Sequence, residues 1–237
     1  MDKNSKTQGN TRNLIMGLDD SGRGPVLGPM ILAGCLIDTE TEKEFKRLGV
    51  RDSKQLSQKR REFLEEIIKE KAISFEVIVV SPEEIDTSNK EGIKLNEVEA
   101  LAMAKIINKL NFSENTSGAK IKVIVDCPSN SIIKWCDFLK MHIKNLSNLE
   151  ISCEHKADIN HVSVSAASIL AKTQREKEME KLKKEYGPEI GSGYGADPVT
   201  KKFLAKNASN KKHQKIFRKT WSNWKQANNN MGQKKLI

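Results

Sequence analysis

Short β-branched runs alternate along this chain with longer stretches whose apolar residues return every three or four positions, the pattern of a sheet with helices packed on it. Asn13–Leu18 predicts a short buried strand, and Val26–Ile37 a second strand region. Ser57 offers a cap for a helix running to about Lys71, with Phe63, Leu64, Ile67 and Ile68 on one face. Ile73–Val80 is β-branched and predicts a strand, after which Ser81-Pro82-Glu83-Glu84 has the spacing of a capping box with proline in the first turn. Asn96 with Glu99 offers the same device to a helix over Glu97–Leu110. Lys120–Val125 predicts a strand, Ile132–Asn145 a helix, and the residues around Leu149–Glu154 another strand. A long helix follows over about Val164–Tyr186, stopped by Gly187 and Pro188, and Asp197-Pro198 is a cap and first-turn pair opening a mainly helical C-terminus. There is no internal repeat. The fold class is α/β.

Charge divides the 237 residues unevenly. The net charge is +10, yet the first 197 residues carry 30 basic and 31 acidic side chains. From Pro198 to Ile237 there are eleven Lys or Arg and no Asp or Glu, with Trp221 and Trp224 set among Lys211, Lys212, Lys215, Arg218, Lys219 and Lys225. That is the footprint of a polyanion-binding surface, or a solvated helical face ahead of a basic tail. The expected organisation is a disordered N-terminus over 1–12, a catalytic domain over 13–197, a helical basic region over 198–225 and a disordered basic tail over 226–237. Cys35, Cys127, Cys136 and Cys153 form no CxxC pair and sit in apolar surroundings, against a zinc site or disulfide framework. Met1–Thr11 lacks an apolar signal core, and Val26–Ile37 is too short and glycine-interrupted to span a bilayer. A cytoplasmic protein without a membrane partner is expected.

Chemistry enters with Met16-Gly17-Leu18-Asp19-Asp20-Ser21-Gly22-Arg23-Gly24-Pro25, two adjacent carboxylates at the end of an apolar run followed by a Gly-Arg-Gly turn. Glycines let backbone amides approach a phosphate, although Asp and Gly also dominate ordinary turns. Asp126 closes the next apolar run, Ile121–Val125, and Asp158 follows Glu154-His155-Lys156-Ala157 just before the long helix. These acids could converge at one end of a sheet. Carboxylates 4 Å apart repel by about 4 kcal/mol at an effective dielectric of 20, so such a cluster is tenable mainly around a cation. Hard oxygen ligands select Mg²⁺ or Mn²⁺.

Six ordered blocks carry a resemblance over roughly Leu14 to Trp221. They are Gly17–Pro29, Asp52-Ser53-Lys54-Gln55-Leu56, Leu95–Ala100, Val125-Asp126, then His155-Lys156-Ala157-Asp158 running on through Val164–Lys172, and Gly193–Thr200. In these the chain resembles the type 2 ribonucleases H, the ribonuclease HII family, in archaeal style. The resemblance implies a ribonuclease H-like fold, a mixed central sheet flanked by helices with a helical C-terminal region. It also implies an endonuclease that cuts the RNA strand of RNA/DNA hybrids and cuts 5′ of ribonucleotides embedded in duplex DNA, leaving 5′-phosphate and 3′-hydroxyl ends. Ribonucleotide removal and RNA-primer removal are the implied roles. Asp19, Asp20, Asp126 and Asp158 match the family's metal-binding carboxylates, with two Mg²⁺ or Mn²⁺ ions implied. Gly22, Arg23, Gly24 and Tyr194 match the elements that sense the 2′-hydroxyl at the junction. Two departures stand out: Asp20 replaces the usual Glu, and Gly195 stands where proline commonly follows the tyrosine, so a more flexible tyrosine loop is expected.

Ser53 and Lys54 match phosphate-contacting positions, and a polar turn ahead of Ser57 is the plainer reading. Ser165, Ser168 and Lys172 share a helical face, giving Ser165 and Lys172 as further phosphate contacts, or small residues that pack the helix. His155 and His161 flank Asp158 and are assigned no metal. Gln233-Lys234-Lys235-Leu236-Ile237 resembles the opening of a sliding-clamp-binding peptide but lacks its two aromatic anchors; otherwise it is a basic tail. A monomer acting on nucleic acid is expected. Rival readings are a binding module that has lost catalysis and a different metal nuclease on the same fold.

Overall fold

The structure is a computed structural model that describes residues 13–51, 53–112, 116 and 119–234, the last four of these by backbone alone. The expected disordered N-terminus and the end of the clamp-like motif, Lys235–Ile237, lie outside the described residues.

Five strands form one sheet in the order β3-β2-β1-β4-β5: β1 (Leu14–Ser21), β2 (Met30–Asp38), β3 (Ser74–Val80), β4 (Ile121–Asp126) and β5 (Leu149–Glu154). β2 is antiparallel to both of its neighbours, β1 and β3, whereas β4 runs parallel to β1 and β5 parallel to β4. The helices are α1 (Thr39–Arg47), α2 (Gln58–Lys71), α3 (Pro82–Lys90), α4 (Leu95–Asn111), α5 (Ile132–Met141), α6 (Ala157–Asn160), α7 (Val162–Tyr186), α8 (Pro198–Asn207) and α9 (Ser222–Lys234). Among the described residues, none is long and apolar enough to cross a membrane.

Strand alternation divides the core between the two faces of the sheet. Met16, Leu18, Leu32 and Leu36 pack with Ile85, Met103, Ile107, Trp135 and Leu139 of α3, α4 and α5. Ile31, Ala33, Cys35 and Ile37 pack with Phe45, Leu64 and Ile68 of α1 and α2 and with Ala166, Ile169 and Leu170 of α7. α7 lies so close to β1 that a Cβ on Gly17 would overlap the Ser163–Val164 backbone. A third cluster joins Val26 and Leu27 to Met179, Phe203, Leu204, Ile216 and Phe217, binding the C-terminal region to the loop after β1.

Several caps match expectation: Ser57 accepts from Arg60 N, Ser81 and Glu84 form a reciprocal box, and Asp197 accepts from Val199 N ahead of Pro198. The cap of α4 does not, because Glu97 accepts from Lys94 N at 2.6 Å, leaving Glu99 to a buried position. β2 begins only at Met30. Residues 26–29 turn through Gly28 (φ +87°) and bond to the C-terminal segment, with Leu27 bridged to Phe217. α5 stops at Met141 rather than Asn145, α1 was not foreseen, and α9 continues to Lys234, past the expected end of helical order at 225.

Candidate active site

The parallel pairing of β1 and β4 sets Leu18 opposite Val125, so the next residues, Asp19 and Asp126, stand side by side at the end of that pairing, still held by β2 and β5. Asp158 reaches the same end on α6, where Ala157 N donates to Asp126 Oδ1 at 2.9 Å. Asp19 is 4% exposed and Asp158 2%. Burial, then Asp20 and Asp126, raise the Asp19 carboxyl well above the usual range, against a hydrogen bond from Ser168. Burial also pushes Asp20 up to about 6, with Asp126 adding and Arg23 and Lys54 opposing. Asp126 is raised by burial and by Asp158, against backbone N–H donors. Lys54 Nζ stands 3.3 Å from Asp158 Oδ2, while Asp158 Oδ1 is buried without a hydrogen-bond partner.

Mutually repelling oxygen donors and an orphaned buried carboxylate oxygen suit a hard divalent cation. Among the described residues, no three such side chains already form a group that could hold a metal ion.

Beside the carboxylates, the Gly22-Arg23-Gly24 turn is held from behind. Arg218, fully buried, donates from Nη2 to Gly22 O (2.6 Å), from Nη1 to Arg23 O (2.8 Å) and from Nε to Gly28 O (3.0 Å). Trp221 Nε1 donates to Gly24 O at 3.2 Å. Among the described residues, no acceptor faces the amide N–H of Gly22, Arg23 or Gly24. Gly22, at φ +83°, has no room for a side chain. The Arg23 guanidinium meets Asn96 Oδ1 and lies 2.8 Å from Glu99.

Tyr194, 44% exposed, stands next to this turn; a Cβ on Gly24 would lie 3.9 Å from its ring. Gly193 O accepts from both Val26 N and Leu27 N, stitching the tyrosine loop to the turn's own loop. Asp197 Oδ2 accepts from Ser192 N and Oγ, each at 2.7 Å, and these bonds with that from Val199 N bring its pKa down to about 2. The Asn223 side chain occupies the space that a Cβ on Gly195 would need, so α9 covers the loop that the missing proline was expected to loosen.

Comparison with known proteins settles the family. The ribonuclease HII family model matches residues 16–224. The chain belongs to the ribonuclease HII family. It is 42% identical over 223 residues to ribonuclease HII of Methanococcus maripaludis strain S2, covering 94% of this chain and 89% of that one. The crystal structure of ribonuclease H2 from Pyrococcus horikoshii matches at TM-score 0.80 and 33% identity, covering 92% and 98% of the two chains. Ribonuclease HII of Archaeoglobus fulgidus, solved in complex with PCNA, matches at TM-score 0.75 and 34% identity over 88% and 95%. The chain is thus a type 2 ribonuclease H, a metal-dependent endonuclease acting on the RNA of RNA/DNA hybrids and on ribonucleotides in DNA.

Within this chain, several expected roles change. The Ser53 hydroxyl is buried and paired with Ser168 Oγ at 2.8 Å, so it is not presented to a phosphate. Ser165 is also buried and gives its proton to Asp158 O (2.6 Å) and His161 O (3.1 Å), holding the turn that carries Asp158. Arg218 is spent on loop carbonyls rather than displayed on a basic surface, and Trp221 packs against the core. Lys54 is exposed at the rim, and Lys172 is half-buried on α7. His155 and His161 stand near Cys127 O and Glu154 Oε2, at 3.0 and 2.9 Å.

Glu99, expected to help cap α4, is instead buried against the Gly22–Gly24 turn. It is fully buried beside Arg23, with its pKa raised to about 8 by burial and then by Asp20. The available signal was an acid among Val98, Ala100, Ala102 and Met103, on the apolar side of its helix.

Proposed function

We propose that Asp19, Asp20, Asp126 and Asp158 hold two Mg²⁺ or Mn²⁺ ions, and that the Gly22–Gly24 turn and Tyr194 read the 2′-hydroxyl of the ribonucleotide at the cut. The observation that carries this reading is the convergence of the four carboxylates at one end of β1 and β4, three of them with raised pKa values. When bound, such ions supply activation of water and stabilisation of the leaving 3′ oxygen. Asp126 is oriented for ligation by Ala157 N, and Asp158 by the Ser165 bond to its carbonyl. The amides of residues 22–24, with no acceptor among the described residues, are available as donors to a ribose oxygen or phosphate. Tyr194, partly exposed beside them, supplies a ring face against which a sugar packs. Lys54 at the rim adds positive charge toward a phosphate.

Asp126→Asn tests the assignment. It should remove nearly all cleavage of a hybrid and of a duplex with one ribonucleotide, in either metal, while leaving substrate affinity within about threefold, because a neutral amide is a poor ligand for a hard dication. Cleavage near the wild-type rate would remove Asp126 from the site. A second contact, between Gln233–Ile237 and a sliding clamp, is favoured by the PCNA complex of the Archaeoglobus relative. Deleting those five residues should weaken capture by a clamp and leave cleavage of free duplex unchanged.

A further inference from the structure

Arg175 lies midway along α7, outside every motif that carries the family resemblance, and its side chain runs beneath two loops at once. Its Cδ and Nε fill the space where a Cβ on Gly22 would stand, so the Gly22 turn rests directly on it. Its guanidinium carbon stands 5.1 Å from the centre of the Tyr194 ring, and Nη2 donates to Ser192 O at 3.1 Å. Nε is buried with no acceptor. A planar cation against the ring, bonded to the backbone two residues earlier, fixes both the tilt of the ring and the height of its loop. A lysine in its place could supply the charge but not the flat face and the fork together.

We infer that Arg175 is a positioning residue that holds Tyr194 against the Gly22–Gly24 turn and so sets how strictly the enzyme demands a ribose at the cut. This rests on the proposed reading of Tyr194 and the turn. The geometry places Arg175 to act through Tyr194, its Nε buried beneath the Gly22 turn and its Nη2 bonded to Ser192 O. If the ring drifts, a lone 2′-hydroxyl no longer defines the register of the scissile phosphate. A continuous hybrid, with ribose at every position and an A-form-like shape, tolerates the drift better.

A double-mutant cycle tests this with Arg175→Met, Tyr194→Ala and the pair, plus Arg175→Lys. The readout is the ratio of kcat/KM on a duplex with one embedded ribonucleotide to that on a continuous hybrid. Tyr194→Ala should lower the ratio by up to about 10²-fold, the scale of a misplacement near 1 Å. Arg175→Met should lower it about tenfold and Arg175→Lys less, and the pair should fall no further than Tyr194→Ala alone. Losses that multiply, or an unchanged ratio in Arg175→Met, overturn the inference while leaving the Tyr194 reading intact. An unchanged ratio in Tyr194→Ala overturns that reading and the inference with it. Should Arg175→Met not melt cooperatively, Arg175→Lys is placed in the same cycle under the same criteria.

Discussion

Replacing Arg218 by Met keeps an unbranched stem in the core but removes the donors that hold the Gly22–Gly28 loop. Three carbonyls, Gly22 O, Arg23 O and Gly28 O, lose bonds of 2.6, 2.8 and 3.0 Å from a fully buried side chain. Burial lowers the Arg218 pKa to about 10, so the group is still a cation at neutral pH and each bond is charge-assisted. Such bonds are worth about 1.5–3 kcal/mol each. Part returns when the cation's own desolvation cost disappears and water reaches the freed carbonyls, so a net loss of about 3–5 kcal/mol is expected. For a chain of this size, about 1 kcal/mol moves the melting temperature by roughly 2–4 °C, so the variant should melt on the order of 10 °C lower. Thermal melting and urea unfolding measure this loss, and cleavage assayed well below the new transition measures the loop. Arg218→Lys, able to serve fewer of the carbonyls, should fall between. A melting temperature within about 2 °C of wild type would show that water serves these carbonyls as well as Arg218 does. A destabilised variant that still cuts a single-ribonucleotide duplex at the wild-type rate would show that the turn need not be held.

Asp20→Glu restores the usual ligand length and should retain cleavage while shifting the preference between Mg²⁺ and Mn²⁺; loss of cleavage in both metals would refute the assigned equivalence. The raised carboxyls make a signed prediction for the metal-free protein. Asp20 moves from 3.8 to about 6 on folding, so the folded state binds the extra proton, and the contribution to stability falls as pH rises from about 4 through about 6. In EDTA, Asp20→Asn should therefore gain stability relative to wild type as pH rises through that window, and Mg²⁺ at pH 8 should narrow the gap; a constant difference would refute the shift. Lys211, Lys212 and Lys215 are exposed, and changing them to Gln should flatten the plot of log affinity against log salt by about 0.9 for each phosphate they neutralise. An unchanged slope would make them merely solvated.

The strands were legible where a short apolar or β-branched run is bounded by polar or turn residues. β3, β4 and β5 lie within a residue of the expected runs, whereas β1 continues three residues past Leu18 through Asp19, Asp20 and Ser21, which stay paired with β2. β2 starts later than its apolar run suggests because Val26 and Leu27 are buried not by a sheet but by Phe203, Ile216 and Phe217, some 180 residues on. α1 was missed because Phe45 is its only buried side chain, so its apolar stripe is one residue wide. The four acids could be found because each lies at or within a few residues of the end of an apolar run or the start of a helix, and sequence shows such boundaries. Arg175, Glu99 and Arg218 could not, because their roles are set by what lies across the fold, and a charged side chain looks the same in sequence whether it faces water or a carbonyl.

That distinction changes what the basic C-terminus means. Arg218 and Trp221 belong by composition to a polyanion-binding surface, yet they satisfy the backbone of the turn between β1 and β2. Gly22 O, Arg23 O and Gly24 O are all taken, while no acceptor among the described residues faces the three amides. A turn with both kinds of group free would present mixed polarity and bind water as readily as anything else. With its carbonyls occupied from behind, this one leaves its amide donors unpaired, and donors select an oxygen carrying lone pairs, a phosphate or a ribose hydroxyl. If the turn reads the ribose as proposed, the C-terminal segment contributes to recognition without having to touch the substrate, by deciding which half of the peptide group the turn offers.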